Sequence, residues 1–244
     1  MESAPARDSV RADSVRAYEV VLHHIEAGIL EGGYRSGDQL PPERELAAQL
    51  NVGRSAVREA MRVLQTAGLI TASTGRGGGT RLTPAQGDAL ARIFRLHLAI
   101  SGAGINDLTE TRVALERASA ATAARTGTAR TRRELDAVLT GMRLADTVEA
   151  FNELDTAFHV LIARAGRNDL VADLTVAIRE AVREPIREAS EHLSDWLDFR
   201  LRLVDEHTGI LRAIENGDPD QAAALMEAHI RSAYTLLADT DLTS

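Results

Sequence analysis

The stretch "ERELAAQLNVGRSAVREAMRVLQTAGLI" (residues 43–70) decides how the front of the chain folds. A short helix over 43–50 would bury Leu46, Ala47 and Leu50, and "NVG" (51–53) makes a tight turn that buries Val52. Gly53 can cap a second helix that starts at Arg54. The apolar face of that helix is Val57, Ala60, Met61 and Leu64, while Arg54, Ser55, Arg58 and Arg62 show on the other face. This is helix-turn-helix grammar, and such a motif sets the opening residues of its second helix against base edges in the major groove. Arginine reads guanine bidentately or grips phosphate, and serine suits phosphate or either base type. The rival reading is a solvated face, with Arg54 and Arg58 paired to Glu45 or Glu59.

Outward from there, "LITASTGRGGGTRL" (69–82) predicts two short strands, 69–73 and 79–83, around a glycine-rich tip that carries Arg76. A β-hairpin directly after the second helix is a wing whose tip could reach phosphate or the minor groove. The glycine run is not a P-loop, because it lacks the lysine and the following helix. All 28 basic residues are arginine, so Schiff-base chemistry is also excluded.

Charge divides the chain. Residues 1–82 carry 10 Arg against 10 Asp and Glu; the remainder carries 18 against 26, and so holds the whole net charge of −8. An acidic protein binds polyanions poorly, so any nucleic-acid contact must come from arginines clustered in the front part. The absence of cysteine excludes disulfides and thiol catalysis, and fits a reducing cytoplasm. No apolar run approaches a membrane span, and the N-terminus has no signal-peptide core.

Beyond the glycine-rich stretch, periodicity predicts helices near 86–101, 106–126, 130–145, 148–165, 168–184, 189–216 and 219–238. At "ENGDPDQ" (215–221), Asn216-Gly217 stops one helix, and Asp218 caps the next with Pro219 in its first turn. The expected organisation is a winged helix-turn-helix domain (1–82, α+β), a linker (83–88) and an all-α bundle (89–244), mainly α overall.

In "NELDTAFHVLIARAG" (152–166), Asp155 and His159 lie one helical turn apart beside an apolar face. His207 and His229 lie ten residues before and twelve after Gly217, so an antiparallel hairpin brings them to the same height. Three helices could therefore deliver one carboxylate and three imidazoles to one point, a set that suits Zn²⁺, Ni²⁺, Mn²⁺ or Fe²⁺, with Zn²⁺ first. Satisfied core histidines are the rival. His23, His24, His97 and His192 lack such partners. Glu206, next to His207, is expected to point away, which leaves a metal-dependent enzyme without a placed general base. A purely structural or sensed metal is the other alternative.

"GDQLPPERELAAQLNVGRSAVREAMRVLQTAGLI" resembles the winged-helix domain of the GntR superfamily, over about residues 15–82. The resemblance implies DNA contacts from Arg44, Gly53, Arg54, Ser55, Ala56, Arg58, Thr74 and Gly75. Pro42 stands where Ser or Ala is usual, and Gly53 replaces a usual hydroxyl residue. "DLTETRVALERASAATAA", "DTAFHVLIARAGRND" and "EHTGILRAIENGDPDQAAALMEAHI" are similar to the FadR-type effector domain called FCD, over about 88–238. That implies a dimeric bundle with a divalent metal on Asp155, His159, His207 and His229. It also implies an organic acid held by Arg112, for which an ion pair with Glu116 is the competing role. The expected function is a cytoplasmic, homodimeric transcriptional regulator, a repressor by family default, on a pseudo-palindromic DNA operator. A small 2-hydroxy or dicarboxylic acid is the expected effector.

Overall fold

The computed structural model describes residues 5–73, 75, 78–83, 87–102, 104–193 and 195–238. The chain divides into two compact units, Met1–Leu90 and Ala91–Ser244.

The front unit orders α1 (Pro5–Leu30), α2 (Glu43–Gln49), α3 (Arg54–Thr66), β1 (Ile70–Ser73) and β2 (Gly79–Leu82). Its core joins Val21 and Ile25 of α1 to Leu46 of α2, to Val57, Ala60 and Leu64 of α3, and to Ile70 and Leu82 of the strands. The sequence reading did not place α1, although Val21, Leu22, Ile25 and Ile29 recur at helical spacing in its second half and pack into this core. In the turn, Asn51 takes a left-handed φ of 50°, which short polar side chains tolerate, and Val52 is only half-buried. Gly68 (φ 72°) follows α3 and turns the chain into β1. The strands pair antiparallel from Ile70↔Leu82 to Ser73↔Gly79. A bridge from Gln39 to Arg81 adds the segment before α2 to the sheet.

Of the expected linker, residues 84–86 lie outside the described residues. Thr83 hydrogen-bonds back to Leu69, and Gly87 and Asp88 open α4 (Gly87–Ser101).

The rear unit is a bundle of α5 (Ile105–Thr126), α6 (Ala129–Leu144), α7 (Val148–Ala165), α8 (Asp169–Glu191), α9 (Trp196–Glu215) and α10 (Pro219–Ala238). Its joints are chemically specified. Thr128, Thr147, Asn168 and Asp218 accept backbone N–H bonds at the starts of α6, α7, α8 and α10. Gly217 has φ 67°, the left-handed stop that glycine adopts without cost. The core gathers Leu139, Met142, Phe158, Ile162, Ile214 and Met226, among others. Two expected boundaries move. α8 continues through Pro185 to Glu191, and α9 starts at Trp196 rather than 189. An interior proline removes one helix hydrogen bond at a cost of ~3 kcal/mol. Burial of Ala181, Val182 and Ala189 on the same helix offsets that cost.

Candidate functional site

The turn after α7 sets α7 antiparallel to α8, and Gly217 does the same for α9 and α10. Asp155 and Arg179 lie at matching distances from the first turn, His207 and His229 from the second. Tertiary packing then brings the two hairpins together.

The result is a buried cluster. His207 Nε2 is 3.1 Å from Asp155 Oδ1, and His159 Nε2 is 3.7 Å from it. His159 Nε2 lies 3.2 Å from His229 Nε2 and 3.3 Å from His207 Nε2. One atom from each of the four side chains falls within 4.8 Å of the others. His159, His207 and His229 are 1%, 0% and 3% exposed.

The Nδ1 atoms explain the tautomers. His159 Nδ1 bonds Glu116 Oε2, His207 Nδ1 bonds the Leu203 carbonyl at 2.6 Å, and His229 Nδ1 bonds Glu206 Oε2 at 2.8 Å. Each partner is an acceptor, so each Nδ1 carries the proton. Burial pushes His159 well below the usual histidine range, helped by the Arg179 charge, and pushes His229 down to about 4. A neutral imidazole protonated at Nδ1 has a bare Nε2 lone pair, as at His159 and His229, and the Nε2 atoms of all three histidines converge here. That arrangement repels itself unless a cation sits among the lone pairs. Bonds of about 2.0–2.1 Å would span donor separations of about 3.0–3.4 Å, close to those observed. The donor set therefore fits a divalent metal.

The supporting groups went largely unread in the sequence. Glu116 receives Arg112 Nε at 2.7 Å as well as His159. Arg179 Nη1 bonds Asp155, and its Nη2 stands 3.8 Å from Glu116. Burial would raise the Asp155 and Glu116 carboxyls. Arg179 beside Asp155, and Arg112 beside Glu116, outweigh it and hold both well below the carboxylate range. Glu206 corrects an expectation: it turns toward the site, accepting from His229 and, at 2.9 Å, from Ser232. With its carboxylate so engaged it orients a ligand rather than serving as a free base.

Beside the cluster lies a cavity of about 30 Å³ bordered by Arg112, Asp155, Arg179 and His229. Arg112 Nη2 and Arg179 Nε and Nη2 are buried there without a hydrogen-bond partner. Buried guanidinium donors are rarely left unpaired, so the cavity calls for an anion. The Arg112 guanidinium also stacks over the Tyr234 ring at 5.2 Å. The ion pair with Glu116 and an anion-facing Nη2 coexist, so the two roles weighed for Arg112 are not exclusive.

In the front unit, Arg44, Gly53, Arg54, Ser55, Arg58 and Gly75 are all exposed. Arg58 pairs with Glu43 at 3.3 Å, and Arg62 with Glu59 at 3.5 Å; among the described residues Arg54 has no ion pair. Ala56 is the exception: at 7% exposure its methyl is a packing group with little surface left for DNA. Thr74 and Arg76 lie outside the described residues.

A helix-turn-helix with a strand hairpin in front, and a helical bundle with a buried donor cluster behind, are the parts of a transcriptional regulator, and comparison with known proteins agrees. The model of "Bacterial regulatory proteins, gntR family" matches residues 17–79, and that of the FCD domain matches 107–232. The chain is 30% identical to the HTH-type transcriptional regulator LutR of Bacillus subtilis, over 86% of this chain and 95% of LutR. It is 30% identical to the HTH-type transcriptional repressor NanR of Klebsiella aerogenes, over 88% and 82%. A solved structure, Streptococcus agalactiae GntR, superposes with a TM-score of 0.61 at 26% identity, covering 91% of this chain and 99% of that one. The chain belongs to the GntR family and carries an FCD effector domain. It is a transcriptional regulator, not an enzyme. No helix among the described residues is long and apolar enough to cross a membrane.

Proposed function

We propose that the protein is a homodimeric, cytoplasmic repressor whose operator affinity is set by a small organic acid bound beside a divalent metal. Asp155, His159, His207 and His229 hold the metal, and Arg112 and Arg179 receive the acid. The observation that carries this reading is that the cavity bordered by Asp155 and His229, two of the four converging donor side chains, is also bordered by Arg112 and Arg179, whose Nη2, Nε and Nη2 atoms lack hydrogen-bond partners. The bound metal supplies a Lewis-acid contact for a carboxylate. The guanidiniums supply charge-assisted hydrogen bonds to it, and Glu116 and Glu206 keep the imidazoles aimed.

Two recognition helices on a two-fold dimer call for a pseudo-palindromic operator. Arg44, Gly53, Arg54, Ser55 and Arg58, with the wing residues Thr74, Gly75 and Arg76, are the DNA-facing set. NanR, a repressor by name, supports repression as the mode.

An acid that binds one arrangement of the bundle in preference to another supplies the differential affinity a switch requires. A coupling of ~1–3 kcal/mol would change operator affinity about 5- to 150-fold. The test is a thermal-shift screen of organic acids with and without Zn²⁺, Ni²⁺ or Mn²⁺, followed by operator titrations with each stabilising acid. A midpoint that no acid moves in any metal state refutes the reading.

A further inference from the structure

Three further polar atoms of the cavity lining lack a hydrogen-bond partner: the Tyr234 hydroxyl, whose ring stacks on Arg112, and one atom each of Asn152 and Ser190. Asn152 lies one turn before Asp155 on α7, and Ser190 lies eleven residues beyond Arg179 on α8, about 16 Å of helical rise. Asn152 Nδ2 and Ser190 Oγ are buried and have no hydrogen-bond partner. Both residues line the same cavity as Arg112 and Arg179. Neither atom bonds Asp155, His159, His207 or His229, so the cluster does not explain them. Between the two ends the walls are apolar: Phe151, Ile186, Phe199 and Leu203.

The charges are lopsided. Among the described lining residues the permanent cations are Arg112 and Arg179, both at the metal end. Asn152 and Ser190 are neutral. A second carboxylate placed beside them would be buried with no counter-charge, which is strongly unfavourable. An apolar tail would leave the amide and the hydroxyl unpaired. A hydroxyl or carbonyl oxygen satisfies both.

We infer that the cavity selects a monocarboxylic acid whose tail bears neutral oxygen, with Asn152 and Ser190 as the residues that read the tail. This rests on the acid-sensing reading above, and narrows the expected 2-hydroxy or dicarboxylic effector by setting the dicarboxylates aside.

The test is isothermal titration of the full-length, Zn²⁺-loaded protein with three six-carbon acids: gluconate, hexanoate and adipate. Gluconate is expected to bind at least about tenfold more tightly than either of the others, the scale of one satisfied buried hydrogen bond. In Asn152→Leu and in Ser190→Ala, the preference for gluconate over hexanoate is expected to fall while hexanoate binding persists. Adipate or hexanoate binding as tightly as gluconate overturns the inference, and so does an unchanged preference in both variants. If none of the three acids binds but another acid stabilises the protein in the screen above, this inference alone falls. If no acid binds at all, the acid-sensing reading falls and takes this one with it.

Discussion

At the scale of single residues, the proposed role of the imidazoles as ligands depends on what stands behind them. Glu116, the Leu203 carbonyl and Glu206 each fix a proton on Nδ1 and so expose Nε2. His229→Ala is expected to reduce bound metal from about one ion per chain to a small fraction, read by elemental analysis after dialysis. Glu116→Gln keeps the shape but weakens the acceptor behind His159; a loss of metal affinity of about 10- to 100-fold is expected, measured by competition with a chelator of known affinity. The same burial predicts an acid response in the metal-free protein. His229 titrates near 4 when folded, against 6.5 ordinarily. Between those values the unfolded chain binds the proton and the folded chain does not, so stability is expected to fall as pH drops from 6.5 toward 4. Asp155 and Glu116, held low when folded, push the same way at lower pH. A melting temperature in EDTA that stays flat across that window would contradict the neutral, buried assignment.

At the scale of elements, α3 does two jobs with two faces. Its apolar face locks into the front core, and its arginine face stays in water. Arg54→Ala is therefore expected to change stability by less than ~0.5 kcal/mol and to weaken operator binding. If Arg54 contacts phosphate, the salt slope of binding falls by about 1; if it reads guanine, discrimination at one base pair is lost. Binding curves at several salt concentrations separate these outcomes, and an unaltered affinity removes Arg54 from the interface. α1 holds α3 in place through Val21 and Ile25, both 0% exposed. Ile25→Ala is expected to cost about 2–5 kcal/mol, seen as a lower melting temperature and, at 37 °C, weaker operator binding by a protein whose metal content is intact.

At the scale of the whole molecule, the proposed function separates sensing from reading: the front unit holds the exposed arginines of α3, and the rear unit holds the Asp155–His159–His207–His229 cluster and the cavity. Stripping the metal with EDTA is expected to lower the melting temperature of the rear unit, because a bound ion stabilises the folded state by mass action. Restoring Zn²⁺ should recover it. An acid that opens the bundle should speed hydrogen exchange in the α7–α8 walls while raising the global melting temperature, a pairing that simple rigid docking does not produce. Sedimentation equilibrium tests the proposed dimer, and an operator footprint with two-fold symmetry is its counterpart on DNA.

The sequence alone determined what local chemistry can specify. Helical periodicity, the Gly217 stop with its Asp218 cap, and the turn at 51–53 set the elements and their order. Helical rise measured from Gly217 placed His207 and His229 level, so even part of the cluster was legible as arithmetic along the chain. α1 was not placed: its first half is polar, so the helical spacing of Val21, Leu22, Ile25 and Ile29 lasts only over its final turns. α8 ran past Pro185 because packing outweighs one missing hydrogen bond. Only the tertiary structure decided which groups stand behind the imidazoles, that Glu206 turns inward, and that Arg179, Asn152 and Ser190 join Arg112 around one cavity. Those contacts join residues far apart in the chain, and their energies depend on desolvation, which no sequence pattern records.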